Sequence, residues 1–128
     1  MRDLEALLIL ARRDLDDARA TAAERPWLAA YSLEHAARKM TMAVLARAGA
    51  PHRFGTSIRE MAIRLPELHP WRRDLLDLDP LSGARDAYLY PTKAGDVPAH
   101  PTPAQVLDDV ARVEGLLGQA EAWCRSEP

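Results

Sequence analysis

The side chains able to do chemistry in this 128-residue chain gather in two short stretches. The first is Tyr31-Ser32-Leu33-Glu34-His35-Ala36-Ala37-Arg38-Lys39. On a helix, Tyr31, Glu34, His35 and Arg38 share one face by i,i+3 and i,i+4 spacing, and Lys39 lies within little more than two turns of Tyr31. A ring, a carboxylate, an imidazole and two cations so spaced either line a polar pocket or form an ordinary solvent-facing surface. The second stretch is Arg85-Asp86-Ala87-Tyr88-Leu89-Tyr90-Pro91. Arg85 has a planar fork of donors suited to phosphate oxygens, or it pairs with an acid such as Asp86. Tyr88, three residues on, projects to the same side of a helix as Arg85. Tyr88 and Tyr90 could stack on a base, or simply pack their rings with the hydroxyls in water.

Other chemistries lack their residues. His52, His69 and His100 are scattered in expected loops without zinc-ligand spacing, so neither a metal nor a cofactor is expected. No glycine-rich phosphate loop, nucleophile elbow or Cys–His pair occurs. Gly115 and Gly118 fall inside the last expected helix, where close packing explains them better than phosphate binding. The one cysteine, Cys124, has no internal disulfide partner, suits a reducing compartment and reads as a buried or half-buried inert thiol. Basic and acidic residues number 17 and 19 and are interspersed, so any contact with RNA or a nucleotide must be local. The apolar run Ala6 to Ala11 follows acids and is too short for a signal-peptide core or a membrane span, so a soluble, cytoplasmic chain with no membrane partner is expected.

Helices must position these residues. The length suits one domain over 1–128, and Ala and Leu dominate the apolar set, which favours helix over strand. Leu4, Leu7, Leu8, Ala11, Leu15, Ala18 and Ala22 predict a first helix that ends before Pro26. A second, from about Trp27 to Ala48, is apolar around more of its circumference and stops at Gly49 and Pro51. That breadth suggests contacts on two faces, and a homodimer is the simplest cover for the second. Ser57-Ile58-Arg59-Glu60 reads as a capping box opening a short helix. Pro70 starts a fourth segment that Asp79-Pro80 must kink or split before Leu81 to Tyr88. Pro91 to Pro103 reads as an exposed loop, and Thr102-Pro103-Ala104-Gln105 as a second box opening the last helix. The expected architecture is all-α, an antiparallel up-and-down bundle of four long helices plus one short helix.

The two stretches and the order of elements resemble HEPN domains over nearly the whole chain. Tyr31 to Lys39 is similar to that family's second-helix signature: an aromatic, a polar pair, two alanines and a charged-Lys pair. Arg85 to Pro91 looks like its second signature, an arginine followed by a Tyr-Pro that ends the fourth helix. The resemblance implies a helical bundle that commonly dimerises, with the two signatures near one another beside the interface and a minimal nucleotidyltransferase as protein partner. Many members carry Arg-x(4–6)-His, which would imply a metal-independent endoribonuclease. Here the corresponding positions are Tyr90, Pro91 and Thr92, and a phenol with a pKa of about 10 is a poor general base at neutral pH. Binding rather than catalysis is therefore expected, with Arg85 central and Tyr88, Tyr90, His35, Lys39, Glu34 and Tyr31 around it. The alternatives are a ribonuclease toxin of a toxin–antitoxin pair, using Arg85 with Tyr90 or His35, and a purely structural dimerisation module.

Overall fold

Proline and glycine set most helix boundaries. In the computed structural model, which describes residues 2–50, 57–85 and 87–126 without the side chains of Arg2 and Arg85, these residues form helices and connecting segments and no strand. The helices are α1 (Arg2–Thr21), α2 (Pro26–Ala48), α3 (Ile58–Ala62), α4 (Pro70–Leu76), a 3₁₀-helix (Asp79–Arg85) and α5 (Pro103–Cys124). Pro26, Pro70 and Pro103 each stand in the first turn, where a missing N–H leaves no bond unmade. Gly49 closes α2 at φ +75°, and the following Ala50 N–H returns to Leu45 O at 2.9 Å. At the start of α5 the capping box is complete in both directions, Gln105 N–H to Thr102 Oγ1 at 3.1 Å and Thr102 N–H to Gln105 Oε1 at 3.0 Å.

Three helices are long, with 20, 23 and 22 residues, rather than the four expected. The fourth segment is two short pieces because Pro80 cannot continue an α-helix through Asp79. The chain tightens there, Leu81 N–H bonding to Leu78 O at 3.0 Å, and the 3₁₀-helix ends at Arg85, short of the Tyr88 expected. This splitting has a use. Asp79 Oδ1 accepts the Arg59 N–H at 2.9 Å and Ser82 Oγ accepts the Ile58 N–H at 3.2 Å, so the 3₁₀-helix satisfies amides at the start of α3 beside the Ser57 cap.

α2 is the central helix. α1 returns along it through a short turn, and α5, α3 and the 3₁₀-helix cover its other sides. Arg12 of α1 holds Glu114 and Glu121 of α5, while Arg125 at the end of α5 pairs with Glu5 near the start of α1, so α5 runs antiparallel to α1. The Arg12 and Arg19 guanidiniums hold the Glu114 carboxyl below the usual carboxylate range. Ala29, Leu33, Ala36, Ala37, Met40 and Met42 to Leu45 are all buried by the chain itself. The broad apolar circumference of α2 therefore needs no second copy to cover it, and that argument for a dimer falls away.

The glycines of α5 also differ from expectation. A Cβ at Gly115 or Gly118 would meet nothing within 4 Å, and both positions are exposed, so close packing does not explain them. Gly115→Ala and Gly118→Ala should each raise stability by about 0.5–1 kcal/mol through the lower conformational entropy of the unfolded chain. Thermal melting checks this, and a lowered midpoint in either variant would restore the packing explanation.

Candidate polar site on the second helix

Glu34 is fully buried in the middle of α2. Its Oε1 accepts from Arg38 Nε at 2.7 Å and from Arg38 Nη2 at 2.6 Å, one helical turn along. The guanidinium is itself largely buried, with its side chain 12% exposed. Oε2 has no hydrogen-bond partner among the described residues and faces His35 Nδ1 at 3.9 Å. The His35 ring meets Tyr31 edge-on, 4.4 Å between centroids, and its Nε2 is buried without a partner among the described residues. Tyr31, Glu34, His35 and Arg38 thus form one contiguous cluster rather than a solvated surface. Sequence spacing put Arg38 on this face but did not single it out as the counter-charge of a buried acid.

Lys39 does not join the cluster. Its ammonium is held by Asp14 of α1, which ties the helical hairpin together. The backbone of Arg85 ends the 3₁₀-helix, an element packed against α2; its side chain and all of Asp86 lie outside the described residues. Tyr88 is half-buried and lines a cleft bounded by Ala30 and Leu33, whose neighbours Tyr31 and Glu34 are not among the cleft's walls. Tyr90 is 67% exposed. The cleft also draws Asp77, Gln105, Asp109 and Arg112 from α5 and the end of α4, none of them picked out in the sequence as a site residue.

The scattered histidines do structural work. His69 Nδ1 accepts the Trp71 N–H at 3.2 Å and caps α4, and His100 packs on Trp27 with centroids 4.9 Å apart. His52 lies outside the described residues. No three His, Cys, Asp or Glu side chains among the described residues stand close enough to hold a metal. Cys124 is buried, and burial pushes its thiol above the ordinary cysteine value. Among the described residues no helix is long and apolar enough to cross a membrane.

Comparison with protein-family models, curated proteins and solved structures gives no match to this chain.

A buried carboxylate stripped of its counter-charge is far costlier than the same site made apolar. Arg38→Met should therefore destabilise the fold by about 3–5 kcal/mol, and Glu34→Leu added to it should recover most of the loss. Denaturant titration of the single and double variants tests the pairing; equal stability of the two would refute it.

Proposed function

We propose that this chain is a HEPN-type helical protein that binds a nucleotide or RNA phosphate beside Arg85. On this reading it acts in the cytoplasm as a homodimer and as the partner of a minimal nucleotidyltransferase. The observation that carries the reading is the buried Glu34–Arg38 pair. Buried ion pairs are seldom the most stable way to fill a core, so one kept on a central helix calls for a reason beyond stability. It falls inside the Tyr31 to Lys39 stretch that resembles the family signature, on a helix that packs against the 3₁₀-helix ending at Arg85. Glu34 fixes the Arg38 fork, and Arg38 and His35 are the α2 groups suited to complement Arg85 around a phosphate. Tyr90, with its ring largely in water, is the more accessible tyrosine for a nucleotide delivered by the transferase.

One observation favours a second reading. His35 Nε2 has no partner among the described residues, so the imidazole could serve as the base of a ribonuclease toxin in place of the histidine missing after Arg85. Incubation with RNA distinguishes the two. Cleavage abolished by His35→Ala supports the ribonuclease, and intact RNA supports the binding protein.

Titration with a mononucleotide and with short RNA tests the site. Arg85→Ala should weaken binding roughly ten- to hundredfold, with Arg85→Lys an incomplete substitute, since a charge-assisted hydrogen bond contributes about 1.5–3 kcal/mol. Lys39→Ala should leave affinity unchanged and lower the melting temperature, because its charge is already held by Asp14. Equal binding by wild type and Arg85→Ala, or none by the wild type, overturns the assignment. Sedimentation as a monomer at high micromolar concentration overturns the homodimer.

A further inference from the structure

We propose that a hollow between the start of α2 and the loop before α5 is a stacking slot for one heterocyclic base, carried by a free nucleotide or by an RNA strand. Resting on the nucleotide- or RNA-binding reading above, the slot takes the base of the same ligand whose phosphate Arg85 meets. The hollow measures about 230 Å³ and is walled by Trp27, Tyr88, Val97, Pro98 and His100. That volume falls below the range of drug-sized ligands and suits a single ring system. Trp27 and Tyr88 are half-buried while Val97 and His100 are exposed, so the slot opens to water on the side of the loop.

The loop is folded against α2. Asp96 O accepts the Thr92 N–H at 2.8 Å, Thr92 Oγ1 accepts the Asp96 N–H at 3.1 Å, and Gly95 at φ +86° completes the turn. Pro98 and Pro101 restrict the backbone on either side of His100, whose ring lies 4.9 Å from the Trp27 ring between centroids. Trp27 itself stands one helical turn before Tyr31, so the slot continues the aromatic and polar face of α2 toward the start of the helix.

The walls decide the class of ligand. An indole, a phenol and an imidazole offer flat faces, and such faces hold a nucleobase by stacking. The same rings carry polar atoms that the fold leaves unused. The Trp27 indole N–H, the Tyr88 hydroxyl and the His100 nitrogens make no hydrogen bond among the described residues. Together they supply both donors and acceptors. A hydrocarbon ring seated here would cover those groups without satisfying them, whereas a heterocycle with donors and acceptors on its edge answers them. Position ties the slot to Arg85. Tyr88 also lines the cleft along the 3₁₀-helix, together with Ala84, the residue before Arg85. Three residues of chain span at most about 10 Å, so one nucleotide can place its base in the slot and still present its phosphate to an arginine at position 85.

NMR of the three indole N–H groups of the full chain tests this, in titrations with AMP, ribose 5-phosphate, adenosine and a short oligoadenylate. Trp71 and Trp123 pack on one another near the far end of α5, about 30 Å from its start, and serve as internal controls. AMP or the oligoadenylate should shift Trp27 alone, and whichever binds more tightly identifies the source of the base. Ribose 5-phosphate should bind at least about tenfold more weakly than AMP and leave the Trp27 signal in place. By calorimetry, Trp27→Ala should weaken AMP about tenfold without altering ribose 5-phosphate, Trp27→Phe should retain most of the affinity, and Arg85→Ala should weaken both ligands. Should Trp27→Ala fold poorly, His100→Ala, at an exposed position, should give the same selective loss. If AMP and ribose 5-phosphate bind alike, the slot is overturned and the phosphate contact stands. If adenosine shifts Trp27 and Arg85→Ala changes nothing, the slot stands and the Arg85 reading falls. Shifts at Trp71 or Trp123 in place of Trp27, unchanged AMP affinity in the Trp27 and His100 variants, or no binding of any ligand overturns the slot.

Discussion

A carboxylate moved from water into a protein core loses several kcal/mol of hydration, and only a well-placed counter-charge offsets the loss. Glu34 imposes that condition at the centre of this molecule, on the helix that every other long element touches. The condition is met locally, by Arg38 one turn along the same helix, so the pair holds only while α2 remains helical from 34 to 38. It also requires that α1, α3, α5 and the 3₁₀-helix together cover α2, because a gap beside Glu34 would admit water and loosen the guanidinium. His35 stands beside the pair, its Nδ1 3.9 Å from Glu34 Oε2, and packs edge to face with Tyr31.

The break at Pro80 shapes the opposite side of α2. Had the fourth segment continued as one α-helix, Asp79 and Ser82 would have lost the geometry in which they meet the free amides of α3. The tighter 3₁₀-helix lets one short piece do two jobs. It caps α3 at one end and brings Ala84 to the cleft beside α2 at the other. A proline that looks like an interruption in the sequence is what links these parts.

Charge divides the molecule in a similar way. Between α1 and α5, Arg12, Arg19 and Arg125 face Glu5, Glu114 and Glu121 in a lattice of half-exposed pairs. Single pairs of this kind contribute little, and a network shared by two long helices mainly fixes their register. Around the start of α5 the charges are not locked in pairs: Asp108, Asp109 and Arg112 line one hollow, and among the described residues neither acid makes a hydrogen bond or close ion pair. Unlocked charge beside a hollow is a different feature from paired charge along a seam, even though the residue types are the same.

Much of the helical framework could be read from the sequence because its signals are local. Pro26, Gly49, Pro70, Thr102 and Pro103 act through their own backbone and nearest amides, so their positions as starts and stops survive whatever packs around them. The apolar spacings of α1 and α5 were legible for the same reason, since the inward stripe of a two-sided helix follows from its period. The candidate site was legible only in part. Tyr31, Glu34, His35 and Arg38 were on one face by arithmetic, but whether that face met water or the core depended on which elements closed over it. Lys39 looked like their companion until Asp14, 25 residues earlier, claimed its charge. Gly115 and Gly118 suggested close contact, yet the tertiary arrangement left their side of α5 open. Asp109 gave no local sign of being a cleft residue, because its hollow is assembled from α2, the end of α4, the 3₁₀-helix and α5. Helix boundaries rest on interactions within a few residues, which spacing encodes directly; burial, charge partners and cavities rest on contacts between distant segments, and those exist only once the chain has packed.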